Sequence, residues 1–369
     1  MKHSWVEINL GILEENIRNV LAAAKRRTEV MFVVKANAYG HGLVPVAERA
    51  AKAGIKWFAV AYLDEALAVR RAVHDADILV LGAVDPSDVA MLLQGRITPV
   101  IVSERHGMAL AEAARRSGAK LPVHLKIDTG MGRLGLPWAE AGSISGKLVA
   151  AGGLDIKGVC THFAAVKPTN LESAKTQYQR FASVARELEE ASGKKLFRHV
   201  ASSRAFLYVK DWDLDAVRLG ISLYGYGARS SHVRVRTRPV LQWKSRVVQV
   251  KSVPAQFPIG YFSTYVTSAP TDIATVSVGY ADGYPRLLSN KGHVLVRGRR
   301  CAVVGRVSMN WVTVDVGPSS GVAEGDEVVL VGEQGGESLW ADEIATLCQT
   351  IPYEILTSIN PAAERKYAG

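Results

Sequence analysis

Side chains that could do chemistry follow several strand-like runs in the N-terminal part of the chain. Each comes at the end of a mostly β-branched, apolar run or a few positions beyond it, and in chain order they are Lys35, Arg133, His162, Ser203, and Gly220 with Ile221. Alone, each has an ordinary explanation, such as a surface charge, a helix cap or a tight turn. Together they are informative, because the carboxyl ends of the strands of a closed parallel barrel form one rim, where function gathers.

This set of residues has the chemistry of a cofactor pocket. The backbone N–H groups of Gly220 and Ile221 and the Ser203 hydroxyl could hold a phosphate, at the end of the barrel's last strands where this architecture commonly binds one. Opposite them, the amine of Lys35 could bind the aldehyde of a cofactor as a Schiff base. A lysine that can form a Schiff base, opposite a group of phosphate-binding donors, is the arrangement of a pyridoxal 5′-phosphate pocket. Arg218 precedes Gly220 in the chain and would lie near the pyridine ring.

Eight strand-like runs alternate with helical stretches in this part of the chain. The runs are continuous and apolar, as in parallel strands buried on both faces, and they read VMFVVKA, KWFAVAYL, DILVLG, TPVIVS, PVHLKID, IKGVCTHF, FRHVASS and DAVRLGI. Eight strand–helix alternations predict a TIM-like (β/α)8 α/β barrel. A doubly wound open sheet is the alternative, because the sequence does not establish closure.

The pattern changes after residue 232. Strand-like segments such as LQWKSRVVQVKSV, HVLVRGRRCAVVGRV and DEVVLVG are then separated by Gly, Pro, Asn and Asp turns, and one short helix, ADEIATLCQ, follows near the end. This pattern is typical of an antiparallel sheet. We therefore predict a barrel over residues 1–232 and a mainly antiparallel β domain over residues 233–369, joined by VRVRTRPV.

Composition narrows the class of protein. The 369 residues are 48% hydrophobic and 22% charged, with neither a run long enough to span a bilayer nor a secretory signal. The formal charge of +10 is compatible with nucleic-acid binding, but the sequence contains no nucleic-acid-binding motif. Arg234, Arg236 and Arg238 instead alternate with other residues, as on one solvated face of a strand. Three widely spaced cysteines predict neither disulfides nor a metal site. We expect a cytoplasmic protein without nucleic acid, membrane or metal partners.

Segments along the whole chain resemble the alanine racemase family. They are VVKANAYGHG (33–42), KIDTGMGRLG (126–135), THFA (161–164), RLGISLYG (218–225), GY (260–261), VGYADGYPR (278–286) and GRVSMN (305–310). The resemblance implies a barrel followed by a β domain, pyridoxal 5′-phosphate as cofactor, and interconversion of L-alanine and D-alanine. By the same resemblance, D-alanine serves as a precursor of cell-wall peptidoglycan.

Two bases, one on each face of the substrate α-carbon, are implied by the resemblance. Lys35 holds the cofactor and serves the D-alanine face, and Tyr261 serves the L-alanine face. In the family this tyrosine comes from the partner subunit, which implies a homodimer with shared active sites. Because tyrosine has an ordinary pKa of about 10, nearby positive charge must stabilise its phenolate. The matching positions are His162 and Arg133, with Lys126 as the lysine that is carbamylated to orient the arginine.

The other site residues follow from the same resemblance. Arg218 bonds the pyridine nitrogen, which keeps that nitrogen unprotonated and disfavours side reactions such as transamination. The phosphate ligands are Tyr39, Ser203, Gly220, Ile221 and Tyr353. The substrate carboxylate binds Arg133 and the backbone N–H of Met309, and Tyr280 lies near the substrate entrance.

Three places depart from the common family pattern. The segment AVKPTN after THFA lacks the acidic residues often found there, Ser202 stands where Asn or Gly is usual, and Asn310 stands where Asp is usual. Loss of a carboxylate beside Met309 leaves substrate breadth open. One alternative is a broad-specificity racemase of lysine, arginine or serine, whose members are typically exported. A pyridoxal-phosphate amino-acid decarboxylase would place an acidic residue where this chain has Arg218, and a cofactor-binding homeostasis protein would lack the β domain.

Overall fold

A computed structural model of the protein describes residues 4–227 and 233–369, and the predicted domain boundary at residue 232 lies outside them. The chain divides into two compact units. The barrel unit comprises Glu14–Ala38 and the described residues of Leu43–Thr237, and the β unit comprises the described residues up to Leu13, Tyr39–Gly42 and Arg238–Gly369. None of the helices in the described ranges has the length and apolar character required to traverse a membrane.

The elements of the described residues alternate along the first part of the chain and are mostly strands in the second. The strands are β1 Ser4–Asn9, β2 Glu29–Val33, β3 Trp57–Val60, β4 Asp77–Val80, β5 Ile97–Ile101, β6 Leu121–Asp128, β7 Leu136–Pro137, β8 Leu154–Cys160, β9 Phe197–Ser202, β10 Ala216–Leu219, β11 Leu241–Val253, β12 Pro258–Ile259, β13 Tyr265–Val266, β14 Thr271–Val276, β15 His293–Val296, β16 Arg299–Val303, β17 Val312–Asp315, β18 Glu327–Gln334, β19 Glu337–Leu339 and β20 Glu364–Ala368. The helices are α1 Leu10–Ala23, α2 Leu43–Lys52, α3 Leu63–Ala72, α4 Val89–Gln94, α5 Glu104–Arg116, α6 Ala141–Ala151, α7 Glu172–Ser192, α8 Ser203–Tyr208, α9 Ala341–Leu347 and α10 Pro352–Ser358.

The predicted (β/α)8 barrel is confirmed. Eight of the described strands pair in parallel in the order β5-β4-β3-β2-β10-β9-β8-β6, and the pairing of β5 with β6 closes the sheet, so the open-sheet alternative is wrong. The strands are apolar on both faces because one face fills the barrel and the other packs against helices. Phe32 and Phe58, for example, are fully buried on neighbouring strands. Helix starts follow local signals, as where Ser103 before α5 accepts a hydrogen bond from the backbone N–H of His106 at 3.2 Å.

The predicted antiparallel sheet forms the β unit. Its strands lie in the order β19-β18-β15-β16-β17-β14-β11-β1-β20, and among these described pairs only β1 with β20 is parallel. The long strand β11 also pairs with β18, and its Trp243 is buried 6.1 Å from the ring of Tyr284. The predicted short helix is α9, and a further helix, α10, follows it.

The structure differs from the prediction at the start of the chain. We predicted a barrel domain from residue 1, but β1 pairs antiparallel with β11, with Val6 opposite Trp243, and therefore belongs to the β unit. The apolar side chains of β1 indicate a buried strand. They do not indicate which sheet the strand joins, because the pairing partner is more than 200 residues away.

The prediction that Arg234, Arg236 and Arg238 share a solvated strand face was wrong about the strand at all three positions and about solvation at Arg234. Residues 233–240 contain no strand, and the Arg234 guanidinium pairs at 2.8 Å with the carboxylate of Asp213, which is completely buried. It also lies 4.3 Å from the ring centroid of Phe206. A buried carboxylate needs a cation, and this requirement outweighs the alternating sequence pattern. Arg236 and Arg238 are exposed, as predicted.

Candidate active site

Lys35 begins a left-handed turn directly after β2. The four residues Ala36–Tyr39 all have φ values of 52–53°, a conformation that costs an L-residue about 1–2 kcal/mol. The carboxylate of Glu65 secures the turn by accepting a hydrogen bond from the backbone N–H of Ala36 at 2.6 Å. Four strained residues in succession are unusual, and such strain is commonly retained at functional sites.

Five of the predicted site residues act electrostatically on one another in the barrel unit, and they are Lys35, Lys126, Arg133, His162 and Arg218. Burial lowers the pKa of Lys35, and the Arg133 guanidinium lowers it further, against the opposite effect of Glu65. Burial is also the main cause that lowers the pKa of His162 to about 3, with added effects of Arg218 and the other cations. The imidazole of His162 is therefore neutral at neutral pH.

Lys126 is a buried member of this group without a hydrogen-bonding partner for its amine among the described residues. It lies on β6 with 9% of its surface exposed, and its amine makes neither a hydrogen bond nor an ion pair with any residue in the described ranges. Burial lowers its pKa, the Cys160 thiol opposes this, and Arg218, Arg133 and Lys35 lower it again. A buried ammonium among cations is costly, so this position favours a neutral amine or an added negative group.

Arg218 on β10 is held by the neighbouring strands. Its Nη1 donates to the His199 carbonyl at 2.8 Å and to His199 Nδ1 at 2.6 Å. Its Nη2 donates to the carbonyl of Thr161 at 2.6 Å and to that of Val200 at 3.1 Å. Nη2 also lies 3.4 Å from His162 Nδ1. These contacts occupy the N–H groups of both terminal nitrogens. The Nε–H donates to no described residue, so this donor is available to a ring nitrogen.

Donors suited to a phosphate lie where α8 begins and β10 ends. The Ser203 hydroxyl oxygen lies within hydrogen-bond distance of three donors, the backbone N–H of Gly220 at 3.1 Å, the N–H of Ser222 at 3.4 Å and the Ser222 hydroxyl at 3.0 Å, of which it can accept two at a time. Its own proton is left to donate. The N–H of Ile221 makes no hydrogen bond with the described residues. The Ser203 hydroxyl and the Ile221 N–H therefore fit the predicted anion, whereas the Gly220 N–H is directed to Ser203.

In the β unit, Tyr39 and Tyr353 lie together with their ring centroids 5.6 Å apart. Burial raises the pKa of Tyr39, and Tyr353 raises it further. The Tyr39 hydroxyl therefore stays protonated and can donate a hydrogen bond to an anion. Its chemistry fits the predicted role as a phosphate ligand.

Tyr280 and Met309 are held together by two backbone hydrogen bonds in the β unit. The N–H of Tyr280 donates to the Ser308 carbonyl at 3.1 Å, and the N–H of Ala281 donates to the Met309 carbonyl at 3.0 Å. The Met309 N–H makes no hydrogen bond within the described chain, so it is available to a carboxylate. The loop that contains Asn310 is thereby fixed against the loop that contains Tyr280.

Gly279 permits this close approach, and we predict that Gly279→Ala destabilises the protein. A Cβ at this position would lie 2.2 Å from the Met309 carbonyl oxygen and 2.4 Å from that of Ser308. Overpacking of this kind costs about 1–3 kcal/mol, so thermal unfolding should begin several degrees lower. Gly146→Ala is the matched control, because nothing lies within 4 Å of a Cβ there. Equal unfolding midpoints for the two variants would contradict the prediction.

Tyr261 projects from a strained turn of the β unit and is 65% exposed. The turn has positive φ at Gly260 (74°), Phe262 (62°) and Ser263 (48°). The Arg306 guanidinium stacks 4.7 Å from the ring centroid of Phe262. The Tyr261 hydroxyl bonds no described residue, so its predicted partners are not in the β unit of the same chain.

Sequence reasoning did not identify Glu65, His124 or His199. Glu65 lies at the start of a helix, and His124 and His199 each lie within an apolar strand. The available signal was the presence of two histidines in runs predicted to be buried, PVHLKID and FRHVASS. Within the described ranges, no three His, Cys, Asp or Glu side chains are grouped so that they could hold a metal ion.

Family models match almost the whole chain. The model described as "Alanine racemase, N-terminal domain" matches residues 8–228, and "Alanine racemase, C-terminal domain" matches residues 240–367. The alanine racemase of Carboxydothermus hydrogenoformans is 43% identical over 369 residues, which cover 100% of both chains. That of Syntrophobacter fumaroxidans is 43% identical over 97% of this chain and 96% of its own.

Solved structures of alanine racemases are also similar to this chain over its whole length. The alanine racemase of Bacillus anthracis with bound L-Ala-P has a TM-score of 0.92 and 34% identity, covering 100% of this chain and 96% of its own. The alanine racemase of Bartonella henselae with covalently bound pyridoxal phosphate has a TM-score of 0.88 and 28% identity, covering 100% of both chains.

Proposed function

The chain belongs to the alanine racemase family, and we propose that it interconverts L-alanine and D-alanine with Lys35 and Tyr261 as its two bases. The observation that carries the proposal is the cluster at the strand ends of the barrel: a lysine of lowered pKa, a neutral histidine, and an arginine with one unused N–H. When bound, pyridoxal 5′-phosphate, the cofactor of the Bartonella henselae relative, supplies a sink for the electrons of the α-carbon.

Lys35 is suited to hold the cofactor and to move one proton. Because burial and Arg133 lower its pKa, a larger fraction of its amine is neutral at neutral pH than for an exposed lysine. A neutral amine is both the nucleophile that bonds an aldehyde and a base. We infer that Lys35 Nζ removes and returns the α-proton on the face that corresponds to D-alanine.

Tyr261 serves the opposite face in this proposal, and a second copy of the chain supplies it. A tyrosine acts as a base only when its surroundings preferentially stabilise the phenolate. The cation cluster of a partner's barrel unit has the charge to supply it. We expect two side chains to face the phenolate: Arg133, which is a cation, and His162, whose neutral ring can donate a hydrogen bond.

Exposed apolar side chains of the β unit support a homodimer. Large apolar or aromatic residues are exposed on the loops around Tyr261, Tyr280 and Met309, and they include Phe262 at 83%, Leu287 at 64% and Ile351 at 57%. A concentration of exposed apolar surface is characteristic of an interaction site. A second copy that covers these loops would bring the positive charges of its own barrel unit to Tyr261, and nearby positive charge favours a phenolate.

We propose that Lys126 is carbamylated. Its buried, cation-surrounded amine is biased toward the neutral form, which can attack carbon dioxide. The new N–C bond forms as one C=O π bond of carbon dioxide breaks and its electrons move to oxygen, and the nitrogen releases a proton to solvent, so the side chain becomes an anion. That anion would pair with Arg133 and orient it toward the substrate carboxylate.

The remaining ligands fit the same reaction. The Arg218 Nε–H would bond the pyridine nitrogen, and the Ser203 hydroxyl and Ile221 N–H would bond the phosphate. Gly220 would contribute indirectly, because its N–H donates to the Ser203 hydroxyl oxygen and so orients that hydroxyl. The roles of Tyr39 and Tyr353 toward the phosphate, and of Met309 and Tyr280 toward the substrate, stay predictions, as do the cytoplasmic location and the peptidoglycan role.

Turnover of candidate amino acids in heavy water tests the proposed function. We expect solvent deuterium at the α-carbon of both alanine enantiomers, and turnover of alanine at least about tenfold faster than that of serine, lysine or arginine. Faster turnover of a basic amino acid would favour the broad-specificity alternative. Release of carbon dioxide would favour the decarboxylase, and bound cofactor without α-proton exchange would favour the homeostasis protein.

A further inference from the structure

We propose that His124 is a positioning residue for the reaction: by accepting a hydrogen bond from His199, it holds His199 in the tautomer that accepts from Arg218. The proposal rests on the proposed function, because it gives His124 a role only through the arginine expected to bond the cofactor's ring nitrogen. His124 lies on β6 and His199 on β9, so two strands that are not neighbours in the barrel sheet supply the pair.

The three side chains form a continuous buried series. Arg218 Nη1 lies 2.6 Å from His199 Nδ1, and His199 Nε2 lies 2.9 Å from His124 Nδ1. The exposed fractions of Arg218, His199 and His124 are 6%, 0% and 1%. The polar atoms between these side chains are therefore shielded from water and pair with one another.

The number of donors and acceptors on each side chain determines which nitrogen of His199 and of His124 carries the proton. A guanidinium can only donate, so His199 Nδ1 must be unprotonated and the proton of its neutral ring must be on Nε2. That Nε2–H needs an acceptor, which is His124 Nδ1. His124 must therefore carry its own proton on Nε2. A doubly protonated His124 would direct an N–H at the His199 N–H, and a His199 with its proton on Nδ1 would direct it at Arg218.

The charges around the pair agree with two neutral rings. Burial, followed by the charge of Arg218, lowers the pKa of His124 to about 4. Burial, followed by Arg218, His124 and Lys126, lowers the pKa of His199 well below its usual value. No carboxylate contributes to either shift, so nothing among the described residues favours an imidazolium at neutral pH.

Packing keeps the His124 ring from turning away. Its centroid lies 6.2 Å from that of Trp57 and 5.9 Å from that of Phe197, and these two rings stack on each other at 5.1 Å. On another side lies Gly158, where even a Cβ would be 2.8 Å from His124 Cε1 and Nε2. The ring is thus a fixed acceptor for the Nε2–H of His199.

The test compares His124→Phe, which keeps a ring but removes the acceptor, with His124→Asn, whose side-chain oxygen can restore one near Nδ1. Holoenzyme labelled with ¹⁵N-histidine reports the tautomer of His199 through two-bond ¹H–¹⁵N correlations, and the absorption spectrum reports the environment of the cofactor ring. In the unsubstituted protein we expect His199 to be protonated on Nε2 alone. We expect His124→Phe to shift the His199 nitrogen signals and the cofactor spectrum and to lower kcat about tenfold, and His124→Asn to stay within about threefold.

A proton on Nδ1 of His199 in the unsubstituted protein would overturn the proposal. So would a His124→Phe protein with unchanged histidine signals and cofactor spectrum, since a packing role alone would produce that result. If His124→Phe does not fold, the proposal is still tested by the His199 tautomer in the unsubstituted protein and by the spectra of His124→Asn. If the protein does not racemise alanine, the proposed function fails, but the histidine signals decide the tautomer independently.

Discussion

Lys35→Ala is expected to abolish racemisation from both alanine enantiomers and to remove the covalent link to the cofactor. Loss of a positioned base alone costs about 10²–10⁴-fold, and loss of covalent attachment adds to it, so kcat/KM should fall by at least about 10⁴-fold. The measurement is the rate from each enantiomer, together with the mass of the protein after borohydride reduction with cofactor. The unsubstituted protein should gain one cofactor mass on reduction, and the variant none.

An exposed lysine at the other end of a barrel strand provides the control. Lys56 lies just before β3, whereas Lys35 lies just after β2. We expect Lys56→Ala to keep its activity within about twofold, because surface substitutions away from such sites have small effects. A Lys35→Ala variant that retains more than about 1% of the activity would contradict the role of this lysine as a base.

Tyr261→Phe is expected to abolish the reaction from L-alanine, by about 10²–10⁴-fold, and to leave the cofactor bound. The phenol is the proton donor and acceptor on that face, and phenylalanine keeps the ring while removing the only group that can exchange a proton. Because Lys35 is intact, D-alanine should still exchange its α-proton in heavy water, and L-alanine should not. Mass spectrometry of each recovered enantiomer measures both.

The stability of Tyr261→Phe should be close to that of the unsubstituted protein. Within one chain the side chain is 65% exposed and its hydroxyl bonds no described residue, so the change should alter the stability of the separate chain, apart from contacts with a partner, by no more than about 0.5 kcal/mol. Tyr62→Phe is the control, since Tyr62 is 66% exposed. A Tyr261→Phe variant that exchanges the α-proton of L-alanine as fast as the control would show that another group is the second base.

The barrel could be predicted because its strands carry their own signal. Runs such as VMFVV and DILV are apolar at consecutive positions, which is typical of parallel strands covered on both faces. Closure through β5 and β6, and the pairing of β1 with β11, could not be predicted. Both depend on pairings between distant segments, and hydrophobic periodicity contains no information on the partner of a strand.

The candidate site was predictable where a residue follows a strand directly. Lys35 and Ser203 occupy such positions, because the end of a buried run marks the functional rim of a barrel. His124 was not predictable as a functional residue, because its role depends on His199, which is 75 positions away. Arg234 was misread for a related reason, since its partner, the buried Asp213, lies outside the local pattern.

Mixing Lys35→Ala protein with Tyr261→Phe protein tests the central claim most directly, that each reaction needs a lysine and a tyrosine from different copies of the chain. After subunit exchange, half of the dimers are mixed, and each mixed dimer has one site with both bases, so we predict recovery of about one quarter of the original activity. Mass spectrometry of the intact dimers measures the extent of exchange. Mixed dimers that form but remain as inactive as the separate variants would contradict the claim.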